Sequence, residues 1–466
     1  MKLKRFIADG IHGFLNFDVK FDGMLTFLTG INGSGKTTAI NAIVAIITPD
    51  LSILADLEYN TIELHLEHNG KDIRISSINE EKSVVILVNI IKDPFVFNKY
   101  IRESETPANR QADAEVEHYR DLIASKSDQP VLRLLASLPS PMFLGLDRRA
   151  RYEEDVRRNR YLMRNPRAGR NIFGSSLARG LLDAADIAET RFRDALIASG
   201  QIAENLQREM LLNLITVSPE EHSDFASLSV PSAADRREIE RVRRDLDTLS
   251  QILHLPHTDV RGRVSPFLDL LERLASRIPM NANIEELLGS DSRHSEVLNS
   301  IIQWSNNHSH LRRIKIISDT VSKYTRQRYE LMQPIQNFLS LVNQFFEDSG
   351  KRILFGDRGY IYIDIDGIQE EKNINYLSSG EAQIFVILTH LSFHPLAAKD
   401  NVFIIDEPEL SLHVQWQELF VDSIISANPH IQYVLATHSP SIILDRIRNC
   451  VDVSRKHAKA RRGRKG

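Results

Sequence analysis

The sequence predicts an α/β protein: a phosphate-loop head on a buried parallel sheet, split by an inserted α-helical arm with a short coiled-coil seam. Three observations carry that prediction. Gly30-Ile31-Asn32-Gly33-Ser34-Gly35-Lys36-Thr37 follows a short apolar stretch and opens a helical one. Far downstream, Val402-Phe403-Ile404-Ile405 and Tyr433-Val434-Leu435-Ala436 are wholly apolar and each leads into polar residues. That is the habit of strands covered on both faces, with their chemistry at the carboxyl ends. Between these halves, residues 147–350 read mostly as helix.

Taken in chain order, residues 6–21 show broken apolar alternation, and 24–29 form a short buried strand ending at Gly30. Residues 38–47 have helical spacing, with Ile40, Ile43, Val44 and Ile47 on one face, and Pro49 stops the helix. Residues 61–78 read as a hairpin: Ile62, Leu64 and Leu66 alternate, His68-Asn69-Gly70 turns, and Ile73 and Ile75 alternate back. Residues 83–91 and 141–146 are further strands. From Asp147 the character changes, with nine arginines crowded into 148–170. Within 235–253, Ile239, Val242, Leu246, Leu249 and Leu253 recur at alternating steps of three and four. Opposite charges four apart flank them at Arg236/Glu240, Glu240/Arg244 and Arg243/Asp247, so the stretch reads as a coiled-coil-like seam with solvated flanks. A second helical run, 334–346, carries Ile335, Phe338, Leu339, Val342, Phe345 and Phe346. Strand pattern returns over 352–365 around the Gly356-Asp357-Arg358-Gly359 turn. The expected organisation is one half of the head at 1–146, the arm at 147–350, the other half at 351–450 and a basic tail at 451–466.

Composition narrows the function classes. Hydrophobic residues make up 42% and charged residues 26% of 466, the balance of a folded globular chain. A net charge of −4 supplies no global field for nucleic acid, so any such contact must come from local patches such as 148–170 or the tail, where 455–465 hold seven Lys or Arg and no acid. Cys450 is the only cysteine, which excludes an internal disulfide and a cysteine-rich zinc site. No apolar run approaches the ~20 residues needed to span a bilayer, and the expected location is the cytoplasm.

Four constellations carry chemistry. In the phosphate loop the glycines let backbone N–H groups of Asn32, Gly33, Ser34, Gly35, Lys36, Thr37 and Thr38 wrap phosphates, Lys36 adds a point charge, and the Thr37 hydroxyl is suited to Mg²⁺. The helix that follows turns its positive dipole end to the same anion. Second, Asp406 and Glu407 end an apolar strand; a solvated strand end gives the same pattern, but coupled to a phosphate loop the pair reads as a magnesium-shell carboxylate and a water-polarising base. Third, Ala436-Thr437-His438-Ser439-Pro440 puts His438 beside that edge, where it can meet a terminal phosphate or orient the water. Fourth, Leu377-Ser378-Ser379-Gly380-Glu381 opens a helix. Its small residues would expose amides and hydroxyls to phosphate oxygens, although a serine N-cap gives the same sequence.

In this order the four resemble the ATP-binding-cassette ATPases of the structural-maintenance-of-chromosomes, RecF and overcoming-lysogenization-defect type, over residues 1–145 and 351–450. The resemblance implies ATP and Mg²⁺ as cofactors. It places Lys36 and Thr37 in the Walker A motif, Asp406 and Glu407 in Walker B, Ser378, Ser379, Gly380 and Glu381 in the signature, and His438 as the switch histidine. Thr37 and Asp406 are the implied metal ligands, and Glu407 and His438 the implied catalytic groups. The run 406–413 most resembles ATPases of bacterial anti-phage systems, such as the Septu ATPase and the PARIS sensor ATPase. That implies an ATP-sandwich dimer formed head to tail with a second copy, a separately encoded effector, contact with nucleic acid or a phage protein, and no membrane partner. No nuclease domain is expected after His438. The alternative is a RecF-like DNA-repair ATPase that binds DNA directly.

Overall fold

The computed structural model describes residues 1–48, 50–101, 108–144, 150–151, 175–215, 228–252, 257–279, 292–398 and 400–454. The chain opens with β1 (Lys2–Ile11), β2 (Leu15–Lys20), β3 (Leu25–Thr29), α1 (Lys36–Ile47), α2 (Leu51–Asp56), β4 (Thr61–His68), β5 (Lys71–Asn79), β6 (Ser83–Val88) and β7 (Phe95–Asn98). It continues through α3 (Ala108–Ser125), α4 (Pro130–Ser137), β8 (Met142–Leu144) and β9 (Ala150–Arg151) to the helices α5 (Ser175–Ile215), α6 (Ala233–Ile252), α7 (His257–Arg277) and α8 (Ser292–Phe346). The last third holds β10 (Lys351–Phe355), β11 (Ile361–Ile365), β12 (Ile368–Lys372), α9 (Ser379–Phe393), β13 (Val402–Asp406), α10 (Val414–Ala427), β14 (Gln432–Ala436), α11 (Pro440–Ile443) and β15 (Cys450–Asp452). These fall into two compact units, Met1–Phe192 with Ile335–Gly466, and Arg193–Pro334.

The first unit, the head, is built on a six-stranded sheet in the order β15-β3-β14-β13-β8-β9, parallel except for the short β9 at its edge. Alternation along its strands feeds two separate cores. Leu28, Phe143, Val402, Ile404, Val434 and Ala436 face one. Leu25, Phe27, Met142, Leu144, Phe403, Ile405, Tyr433 and Leu435 face the other. Both faces are therefore covered, which is why these strands read as unbroken apolar runs. Helix α1 lies in the first core beneath an antiparallel sheet, β2-β1-β4-β5-β6-β7. Covered by two layers, it buries Ala39, Ile40, Ala42, Ile43, Ala45, Ile46 and Ile47, more than the single face expected from its spacing. The expected turn at 68–70 is present, with Asn69 and Gly70 both at positive φ between β4 and β5.

The second core collects α9, α10 and the head-side ends of α5 and α8: Leu181, Ala184, Ala188, Phe338, Val342, Phe345 and Phe346 pack there with Phe385 and Phe420. The division between units thus falls at 192/193 and 334/335, inside the span 147–350 expected as one arm. The reason is packing, since helical periodicity alone does not say which core a helix end enters.

The second unit has its own core, including Leu206, Ile239, Val242, Leu246, Leu268, Leu271, Trp304 and Leu311. Of the seam residues, Ile239, Val242 and Leu246 are buried as their spacing predicts, while the Leu249 side chain and Leu253 lie outside the described residues. Arg243 reaches across to Asp269 and Glu272 of α7, each at 2.8 Å, and Arg236 donates to the Ala275 carbonyl at 2.6 Å. A neighbouring helix places those acceptors within reach, so the guanidinium groups bridge helices. The arginine stretch 148–170, apart from the strand residues 150–151, and the tail 455–465 lie outside the described residues. Among the described residues no helix is long and apolar enough to cross a membrane.

Candidate active site

The parallel register builds the site. Asp406 pairs with Ala436, and Ala436 with Leu28, so β3, β13 and β14 end level with one another. The pairing runs one residue further, as Glu407 N–H donates to the Ala436 carbonyl at 2.8 Å and Thr437 N–H to the Leu28 carbonyl at 3.1 Å. Three segments far apart in sequence, at Gly30, Glu407 and His438, thereby leave the sheet side by side.

The glycine loop curls back into α1 at this edge. Gly35 sits at φ 90, and a Cβ there would lie 2.9 Å from both Leu15 Cδ1 and Phe17 Cζ, so glycine is required on two grounds. Lys36 is 5% exposed and its ammonium crosses the loop, donating to the Gly30 carbonyl at 3.0 Å and standing 3.8 Å from Glu407 Oε1. Asn32, Gly33 and Thr37 are exposed, Thr38 is half-buried, and Ser34 is buried with an Oγ that has no hydrogen-bond partner among the described residues. The Thr37 hydroxyl donates to Asp406 Oδ2 at 2.7 Å, and Asp406 is 1% exposed.

Glu407 occupies the left-handed region at φ 49, a conformation a non-glycine residue adopts at a cost of about 1 kcal/mol or more. Its Oε2 lies 2.6 Å from His438 Nδ1. Burial raises the Glu407 pKa first, and the negative charge of Glu409 adds to it, while His438 and Lys36 oppose the rise. A carboxylate raised in this way is a better proton acceptor than an ordinary surface glutamate. These residues fit a nucleotide with its magnesium. A hydroxyl and a carboxylate 2.7 Å apart offer the hard oxygen ligands magnesium takes, and the buried Lys36 ammonium and the Ser34 hydroxyl, which has no partner among the described residues, are donors suited to phosphate oxygens.

The structure brings Lys36, Thr37, Asp406, Glu407 and His438 together. It places Ser378, Ser379, Gly380 and Glu381 in a different setting, at the start of α9. Ser378 and Glu381 form a reciprocal capping box. Glu381 is buried, accepts from Ser378 N–H at 2.6 Å and Ser349 Oγ at 2.8 Å, and pairs with Lys351 at 2.8 Å. Burial alone would raise its pKa, but Lys351 and the hydrogen bonds hold it below the ordinary carboxylate value. Gly380 packs so closely that a Cβ would meet the Ser411 carbonyl at 2.6 Å. Ser378 and Ser379 stay exposed. Glu409, which the sequence offered only as part of a dimer-contact loop with Ser411 and His413, joins Thr437, Gln417 and Gln383, to which the sequence gave no role, in organising the loops around the site. Glu409, three residues beyond Asp406 in a loop already singled out, was the available signal.

A family model described as "AAA domain" matches residues 7–254, and one described as "AAA domain, putative AbiEii toxin, Type IV TA system" matches 235–445. Over 75 residues the chain is 37% identical to "Retron Vc95 probable ATPase" of Vibrio cholerae serotype O1 biovar El Tor, covering 16% of this chain and 14% of that protein. The chain therefore matches only about a seventh of that relative's length. Solved structures of Smc head domains are distant matches. One, with an extended coiled coil bound to the C-terminal domain of ScpA, from Pyrococcus furiosus, has 11% identity and TM-score 0.36 over 95% of this chain and 91% of its own. The other, with a coiled coil and joint, from Pyrococcus yayanosii, has 12% identity and TM-score 0.35 over 95% and 93%. With more than half its length matched by the first family model, the chain belongs to the AAA domain family.

Proposed function

We propose that this protein is an ATP-binding and ATP-hydrolysing sensor or scaffold of a bacterial anti-phage defence system, governing a separately encoded effector in the manner of the PARIS sensor and Septu ATPases. The observation that carries the ATPase reading is the alignment of two polar pairs at one edge of the sheet, Thr37 of α1 with Asp406 and Glu407 with His438, beside the buried Lys36. Bound MgATP supplies the electrophilic terminal phosphorus and the cation that neutralises its oxygens. The amides of 32–38 hold the phosphates, and Lys36 exchanges its contact with the Gly30 carbonyl for phosphate oxygen. Thr37 and Asp406 would hold the magnesium. Glu407 takes the proton of the attacking water, and His438 orients that water and the phosphate end.

The signature residues serve a second copy in this reading. Ser378, Ser379 and Gly380 cover the nucleotide of the partner protomer, while Glu381 acts from behind as the cap that holds them. The defence assignment is supported by the AbiEii description of the second family model and by the similarity to a retron ATPase. The effector performs the destructive step, and nucleic acid or a phage protein is the trigger class. The test uses cells carrying the natural locus. Lys36→Ala and Glu407→Gln should each abolish protection in plaque assays, and full protection by either variant contradicts the proposal.

A further inference from the structure

Glu409 has no part in the reaction described above, yet it is 8% exposed and sits where two loops meet. Its Oε1 accepts from Thr437 Oγ1 at 2.7 Å, from His438 N–H at 2.9 Å and from Ser439 N–H at 3.2 Å, and it lies 3.1 Å from His438 Nδ1. One carboxylate oxygen therefore gathers the donors of the whole turn after β14. The loop that carries Glu409 is itself fixed, because Gln383 Nε2 donates to the Pro408 carbonyl at 2.8 Å and Leu412 N–H to the Glu409 carbonyl at 3.0 Å. On the far side of the turn, Ser439 Oγ donates to Gln417 Oε1 at 2.6 Å, and Gln417 Nε2 to the Leu412 carbonyl at 2.9 Å. The half-exposed His438 ring has its backbone anchored by this network and its Nδ1 edge held between Glu407 and Glu409. That leaves Nε2 as the nitrogen directed to a ligand.

We propose that Glu409 is a positioning residue that locks the Thr437-His438-Ser439 turn, so that His438 stays registered on Glu407. The proposal deepens the ATPase reading and rests on it for its effect on turnover. Removing the carboxylate strands several donors at once, at least one of them buried, and the turn must relax to rehydrate them. The ring then loses its register although every reacting group is still present. Nucleotide affinity, carried by the phosphate loop, should be spared.

The experiment compares Glu409→Ala, Glu409→Gln, His438→Ala and the Glu409→Ala/His438→Ala pair in the full chain. Glu409→Ala should lower kcat for MgATP by about tenfold or more, the scale of a displaced catalytic side chain, with the Kd for a fluorescent ATP analogue unchanged within about twofold. Glu409→Gln should restore most of the rate, because an amide oxygen accepts the same neutral donors. The double variant should be no slower than His438→Ala, since Glu409 acts through that ring. Additive losses, or a Gln variant as slow as Ala, would overturn the proposal. A readout without turnover is the reaction of His438 with diethyl pyrocarbonate, followed by mass spectrometry. Glu409→Ala should change its rate severalfold and Glu409→Gln should not; an unchanged rate in both rejects the positioning role. If wild-type protein hydrolyses no ATP while the modification rates behave as expected, the ATPase reading fails and the positioning role stands.

Discussion

Asp406 and Glu407 are adjacent carboxylates with opposite surroundings, and their difference sets what each can do. Asp406 is buried and takes the Thr37 hydroxyl at 2.7 Å, which suits a cation ligand. Glu407 is turned by its positive φ toward His438, with its pKa raised. Glu407→Gln should therefore leave ATP affinity near wild type and lower kcat by about a hundredfold or more, the scale of a lost general base, measured by phosphate release. Gly35→Ala should lower stability by about 1–3 kcal/mol, because the residue keeps φ 90 and its methyl meets Leu15 and Phe17; thermal unfolding checks this. The clustering of Lys36, Thr37, Asp406, Glu407 and His438 was legible because a glycine-loop pattern restricts residue type at fixed spacing around Lys36, and because Asp406 and His438 lie at the ends of apolar runs. Glu409 was not legible as a structural hub, since its partners at 437–439 come from another loop and only the register of β13 with β14 brings them near.

At the scale of elements, α9 shows why one helix needs two kinds of support. Its capping box at Ser378 and Glu381 fixes the start, and the Phe338–Phe385 contact, with ring centroids 5.8 Å apart, helps hold the body in the second core. The same burial removes His390 from water and pushes its pKa down to about 3, with His394 adding a smaller effect. An unfolded histidine titrates near pH 6.5. Below that value the unfolded chain binds a proton that the folded chain refuses, so the stability linked to His390 is complete above about pH 6.5 and falls as pH drops toward 3. His390→Gln should flatten the decline of Tm between pH 7 and pH 5, and an unchanged slope contradicts the linkage. Strands β13 and β14 could be read from sequence because 402–405 and 433–436 are unbroken apolar runs. Strand β12 has no buried residue in its pattern and β15 is only three residues long, so neither offers periodicity to read, and register against β11 and β3 defines them.

For the whole molecule, the boundary between units decides how far the helical insertion is separable. Leu181, Ala184, Phe338, Val342 and Phe345 belong to the core of the head although they lie within the stretch that reads as arm. A chain with a flexible linker in place of 193–334 should stay soluble and bind ATP, whereas one lacking 147–350 should aggregate, because it loses several large core side chains worth about 2–5 kcal/mol each. Equal behaviour of the two deletions contradicts this partition. The sequence indicated that a helical insertion exists, and only packing shows where the head stops. In the proposed function, the aligned strand ends form an ATP hydrolysis site completed by a second copy. Its most direct test is light scattering coupled to size-exclusion chromatography of Glu407→Gln in MgATP, with the bound nucleotide identified from the eluted peak. Glu407→Gln should run as a dimer carrying intact ATP, and that dimer should be absent when Lys36→Ala is added; Glu407→Gln protein that turns ATP over at the wild-type rate, or whose mass ignores nucleotide, would contradict a site shared between two copies.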